Sequence, residues 1–165
     1  MVLIALFLGC AAPQSTPAVA PVLTVHTAVT VHEPASDNGL TTGIEREMKA
    51  AGLTVRRINN NAEMNALGTT GQRSAWLTTQ TEGALNVLVE AGARRRANLG
   101  GRFQWEISTT VVVSETGKPS LEESRVLRIT MPHSHQDASA ALMSAAPRIG
   151  QYAATKVRQF HGSAE

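Results

Sequence analysis

A chain of 165 residues that is 42% hydrophobic but only 4% aromatic has the material for one modest, aliphatic core. Fifteen basic residues against 13 acidic ones leave a net charge of +2, too small to argue for a nucleic-acid partner. The single cysteine, Cys10, excludes an intrachain disulfide and a cysteine-based metal centre.

The chain opens on an unbroken apolar run, Met1-Val2-Leu3-Ile4-Ala5-Leu6-Phe7-Leu8-Gly9, that stops at Cys10. Nine residues are too few to cross a bilayer as a helix, which takes about 20. The run fits the apolar core of a secretory signal better; the alternative is a buried first strand with a chance cysteine. Residues 11–22 hold Pro13, Pro17 and Pro21 among Ala, Ser, Thr and Gln, a semi-extended linker with nothing to bury. The expected organisation is therefore a signal over 1–9, a tether over 10–22 and one globular domain over 23–162.

From Leu23 the pattern alternates, with Leu23, Val25, Thr27, Val29 and Val31 on one face and Thr24, His26, Ala28, Thr30 and His32 on the other. It predicts a half-buried strand, stopped by Pro34. Ser36 or Asp37 is the expected cap of a helix with the stripe Leu40, Ile44, Met48 and Ala51, closed by Gly52. Residues 53–58 read as a second strand. After Asn59, Asn60 and Asn61 comes a polar helical region through Met64, Leu67, Trp76 and Leu77, broken around 68–71. Residues 85–97 predict a third strand, apolar first and basic at its end. Phe103, Trp105, Ile107, Thr109, Val111 and Val113 alternate against Gln104, Glu106, Ser108, Thr110 and Ser114, the clearest strand pattern in the chain. Glu115-Thr116-Gly117-Lys118-Pro119 is a hairpin turn, and 121–131 returns antiparallel. Asp137 is placed to cap a last helix, which Pro147 should kink or split. The order β-α-β-α-β-β-β-α predicts an α/β (α+β) fold, a mixed sheet of about five strands with helices on one face and the last three strands in a meander.

Candidate chemistry is sparse. His133 and His135 lie about 6.6 Å apart along an extended loop, within reach of one metal ion together with Asp137. Asp137 is also wanted as a helix cap, and the cap is the preferred reading. His26 and His32 are about 20 Å apart on one strand and cannot share an ion; they read as exposed strand histidines. Arg94, Arg95 and Arg96, with Arg102 close by, form the densest positive patch. It suits an acidic partner or anionic headgroups, or else guards a strand end. Trp76 lies in a polar segment as a candidate partner anchor, whereas Trp105 falls in register with Phe103 and Ile107 as core. Glu122 and Glu123, neighbours on a strand, point to opposite faces and cannot work as an acid/base couple. Gly100-Gly101-Arg102 lacks the pattern of a phosphate loop, and no nucleophile motif occurs.

The apolar run ending at Gly9-Cys10 resembles the lipobox of bacterial lipoproteins. The resemblance implies that Cys10 becomes the mature N-terminus and carries acyl chains, with no other cofactor expected. The helix-Gly-strand unit from Ile44 through Gly52 to Val55, the small-residue strand Ala84-Leu85-Asn86-Val87-Leu88-Val89-Glu90-Ala91-Gly92, and the strand ending in Glu115-Thr116-Gly117-Lys118 carry a second likeness. They are similar to the envelope domains of the curli-secretion lipoprotein, the lipoprotein activators of penicillin-binding proteins and the Tol-system N-terminal domain. That likeness implies a non-enzymatic domain on the periplasmic face of the outer membrane, binding another envelope protein or forming a homo-oligomer. The rival expectation is a small ligand-binding or hydrolytic lipoprotein.

Overall fold

The computed structural model describes residues 22–33, 35–59, 62–81, 83–132 and 137–162. Cys10, His133 and His135 lie outside them. Strand β1 (Thr24–Val31) is followed by helix α1 (Leu40–Ala50), strand β2 (Thr54–Arg57), helices α2 (Ala62–Ala66) and α3 (Thr70–Gln80), strands β3 (Leu85–Asn98), β4 (Arg102–Ser114) and β5 (Leu121–Pro132), and helix α4 (Ala138–Gly162). The sheet order is β2-β1-β3-β4-β5, with β1 parallel to β2 and β3 and the last three strands antiparallel.

This order sets where the helices go. The β1-α1-β2 crossover steps toward one edge of the sheet; the connection from β2 through α2 and α3 to β3 steps back the other way. Crossovers between parallel strands are right-handed, so opposite steps place their helices on opposite faces. The main layer of α1 and α4 covers one face, as expected, and the short α2–α3 pair adds a smaller one opposite. The first layer closes over Val25, Val29, Val87, Val89, Ile107, Val111 and Val113, with Phe103 and Trp105 at its end. The second is an island of Ala28, Met64, Leu77, Leu88 and Val112.

Three local expectations are corrected by this arrangement. β1 is buried on both faces rather than one, because it lies between two parallel strands with a helical layer on each side. The cap of α1 is Gly39, whose φ of 97° lets the chain turn in without a side-chain bond. Asp37, two residues upstream, still serves the first turn by accepting from the Thr41 backbone N–H at 3.0 Å. Pro147 does not split the last helix, which runs continuously over 25 residues. The carbonyl whose intrahelical donor it removes belongs to Met143, on the exposed side of the helix at 46%. At the end of α1 the expected Gly52 cap is a complete two-bond motif: Leu53 N–H donates to the Met48 carbonyl at 3.2 Å and Gly52 N–H to Lys49 at 2.9 Å. Helices α1 and α4 meet through small residues. A Cβ at Gly150 would lie 2.6 Å from the Ile44 carbonyl oxygen, and one at Gly43 would lie 2.8 Å from the Ala146 Cβ.

Candidate functional site: the basic end of the sheet and the β5 edge

Strand alternation splits the arginine run. Arg95 pairs in register with Trp105, and its guanidinium lies over the Phe103 ring, 5.0 Å from the centroid. Arg94 stands on the opposite face, in register with Glu106. Arg96 sits at an irregularity where the register shifts between Arg95 and Ala97, and its Nε is 3.4 Å from a Glu106 oxygen. All three are exposed, as is Arg102 across the turn that Gly100 and Gly101 make at φ of 58° and 99°. The arginines are thus gathered at one end of the sheet without forming a single patch on one face.

Trp105 is 5% exposed and belongs to the larger core, and its indole Nε1 is buried with no hydrogen-bond partner in the structure. It shares the wall of an open hollow of about 680 Å³ with Arg94, Arg95, Ser36, Asp137 and Ser139. Trp76, half-buried, packs on the smaller core and reaches Glu63 at 3.4 Å. The two tryptophans therefore belong to different layers. Asp137 acts as the cap of α4: one carboxylate oxygen accepts from the Ser139 N–H at 2.6 Å and the Ala140 N–H at 3.0 Å. Among the described residues no three His, Cys, Asp or Glu are grouped to hold a metal ion.

The histidines part company. His32 is exposed as expected, with Nε2 3.9 Å from Glu90. His26 is half-buried between Arg56 and Asn86 in register, and its Nδ1 is buried without a partner. Burial first, and then the nearby Arg56, push its pKa below the ordinary value.

Two buried carboxylates were not anticipated. Glu45 on α1, 6% exposed, receives a bidentate pair from Arg57 at 2.8 and 2.7 Å, with the Thr27 hydroxyl 3.4 Å away. The bond to Glu45 raises the Arg57 pKa further. Glu90 on β3, 4% exposed, is held by Arg73 Nε at 2.5 Å and by the Thr70 hydroxyl at 2.7 Å, while Arg73 also donates to the Leu67 carbonyl at 2.6 Å. The signal was present: an acid inside the apolar run Val87-Leu88-Val89-Glu90-Ala91 must be neutralised or hydrogen-bonded if that run is buried. Both acids bind arginines of neighbouring elements and serve as staples between layers.

The edge of the sheet beside β4 is β5. It is 12 residues long and pairs with β4 alone among the described strands. On the α4 face Leu127 and Met131 are buried, and Glu123 accepts from Lys156 at 2.5 Å and from the Tyr152 hydroxyl at 3.3 Å. Arg125 and Lys156 each lie 5.4 Å from the centre of the Tyr152 ring. The Lys156 ammonium holds the Glu123 carboxyl below the usual carboxylate range. Burial, and then Glu123, raise the Tyr152 phenol. On the other face Ser124, Val126, Arg128 and Thr130 stand exposed, Val126 at 57%. A second open hollow, of about 640 Å³, lies between α3 and the β4–β5 hairpin, lined by Ser74, Thr78, Ser114, Thr116, Lys118 and Glu122 among others.

The fold has counterparts among solved structures. A hypothetical protein of Chlamydia trachomatis superposes with a TM-score of 0.53 at 14% identity, over 83% of this chain and 96% of that one. A minor lipoprotein of Acinetobacter baumannii gives 0.46 at 11% identity, over 82% and 95%. A PelC dodecamer from Paraburkholderia phytofirmans gives 0.43 at 12% identity, over 82% and 86%. The first of these, at 14% identity, shows a likeness of fold alone, and fold does not assign function. No protein-family model and no curated protein matches the chain.

Proposed function

We propose that the chain is a lipid-anchored protein of the bacterial envelope whose domain binds another protein and catalyses nothing. The carrying observation is β5, a 12-residue strand at the edge of the sheet with an exposed polar face. Such an edge offers a row of backbone donors and acceptors to an incoming strand. Cys10, at the end of the apolar run, carries the anchor, and the tether over 11–22 gives the domain a reach of roughly 40 Å at about 3.3 Å per extended residue. Several acyl chains on Cys10 hold the domain at a membrane surface, and anchoring raises its effective concentration against a partner on the same surface. The outer membrane, periplasmic side, is the location this reading favours. The likeness to curli-secretion, penicillin-binding-protein-activator and Tol N-terminal domains supports the same class of role.

The rival, a ligand-binding or hydrolytic lipoprotein, would use the hollow beside α3. That hollow is open and lined by hydroxyls, with no histidine in its lining to activate them, and its Lys118 is tied to Glu115 at 2.9 Å. Its form favours the adaptor.

The test is fractionation followed by capture. The full chain should sediment with membranes, and Cys10→Ser should release it or leave it uncleaved. Pull-down from envelope membranes should recover a partner with the intact chain and lose it with Val126→Glu, which sets a charge against an incoming strand without touching the core. An unmodified Cys10 in the membrane-extracted protein, found by mass spectrometry, overturns the anchor. Capture unchanged by Val126→Glu overturns the edge.

A further inference from the structure

We infer that the β5 edge pairs with the β5 edge of a second copy of this chain, antiparallel about a two-fold axis through Ser124. The inference rests on the reading of β5 as the docking edge and names the occupant. In an antiparallel pair related by a two-fold axis the residues directly opposite each other share a face, and each register is defined by the residue on the axis. Cross-strand neighbours on one face decide which register is favourable: opposite charges stabilise, like charges repel.

β5 reads Leu121-Glu122-Glu123-Ser124-Arg125-Val126-Leu127-Arg128 from its start. With the axis at Glu123, that carboxylate faces its own copy. With the axis at Arg125, two guanidinium groups face each other. With the axis at Ser124, Glu123 faces the second copy's Arg125, and Arg125 faces the second copy's Glu123. Leu121 then meets Leu127 twice, and the serine hydroxyls meet at the centre. With the axis at Val126, Glu123 faces Ile129 and Arg125 faces Leu127, and no ion pair forms. Among these registers the one centred on Ser124 gains two ion pairs with no like-charge contact.

The charges are in place for it. Glu123 and Arg125 lie on the α4 face of the edge and gather around Tyr152 from the strand side, Arg125 over its ring and Glu123 accepting from its hydroxyl and from the Lys156 ammonium. Both groups thus stand on the strand whose outward backbone atoms a second strand would bond. Charges on an edge strand commonly guard it against pairing; here the guard against a foreign strand is complementary to itself. A slip of one residue would turn every side chain to the wrong face, so this charge pattern selects one register as well as one partner.

Register-specific crosslinking of the full chain in membranes tests the inference. Opposed Cα atoms in an antiparallel pair stand about 4.5–5.5 Å apart, within the span of about 4.4–6.8 Å that a disulfide bridges. Ser124→Cys should therefore crosslink to itself, above the baseline set by the unsubstituted chain with its one cysteine at Cys10. Glu122→Cys and Val126→Cys are each offset from themselves by four residues, about 13 Å, and should not self-crosslink. Mixed with each other, these two should join. In the Ser124→Cys background, Glu123→Arg and Arg125→Glu should each lower crosslinking several-fold, and the two together should restore it. No crosslink at 124, or equal crosslinks at 122, 124 and 126, overturns the self-pairing. A different protein captured through β5 would overturn it too, while leaving the adaptor reading intact.

Discussion

On the face that α1 and α4 cover, β3 and β4 present Val87, Val89, Ala91, Ile107, Val111 and Val113. On the face that α3 covers, the same two strands present Asn86, Leu88, Glu90, Val112 and Ser114. One face is an aliphatic layer sealed by a helix of 25 residues; the other is an apolar island beside a buried ion pair, which gives way toward β5 to exposed Ser108, Ser124, Val126 and Arg128. The difference teaches where stability and contact surface are separated in this fold. The first face holds the sheet together, and the second is only partly covered because its crossover helices are short and lie over β1, β3 and β4.

Trp105→Ala is the severest way to test the first face. It truncates a side chain that is 5% exposed in the large cluster and should cost about 3–5 kcal/mol, read from the urea midpoint. If the loss is small, the end of the sheet around Phe103 is not part of the core.

On the second face the test is a single change set against a double one. Glu90→Leu leaves Arg73, itself 9% exposed, without its carboxylate and should cost about 3 kcal/mol, the lower end for a broken buried pair because Leu67 still accepts from the guanidinium. Adding Arg73→Met should recover most of that loss. A double variant no better than the single one would mean that Glu90 stabilises through Thr70 and not through the ion pair.

How much of this was legible in the sequence depended on what each pattern requires. The alternation from Phe103 to Val113 was readable because one face of β4 is lined by a continuous apolar layer. The alternation of β1 suggested one solvated face because His26, Thr30 and Ala28 are small or polar, yet such residues are what a close-packed second layer tolerates. The Gly39 cap was hidden by the better capping residues Ser36 and Asp37 upstream. The strand β5 was visible, but not its place at the edge, since that follows from sheet order and from pairings distant in the chain. Of the candidate surface, the arginines were located but read as one patch, which the strand register divides between the two faces. The irregularity at Arg96 left no mark in the sequence.

Smaller effects sharpen the contrast at the surface. Serine at 94, 95 and 96 together should change stability little, about 0.5 kcal/mol or less for each site, since the Arg96–Glu106 pair is half-exposed. Thermal melts check this. A loss comparable to Trp105→Ala would show that Arg95 on Phe103 belongs to the core.

The pH dependence of His26 is smaller still. Its folded pKa lies below the ordinary 6.5, so the unfolded chain takes up the proton first. Its contribution is therefore full above about pH 6.5 and declines as the pH falls below that value. Urea unfolding at a series of pH values should show this slope, and His26→Gln should remove it.

The central claim is that this protein works by contact through β5 and not by chemistry in the hollow beside α3. A photo-crosslinking side chain placed at Val126 or at Thr79, in the full chain within intact envelopes, separates the two directly. The account predicts protein adducts from position 126 and none from 79, the adduct at 126 being a second copy of the chain. Adducts from 79 alone, or none from 126, would contradict it.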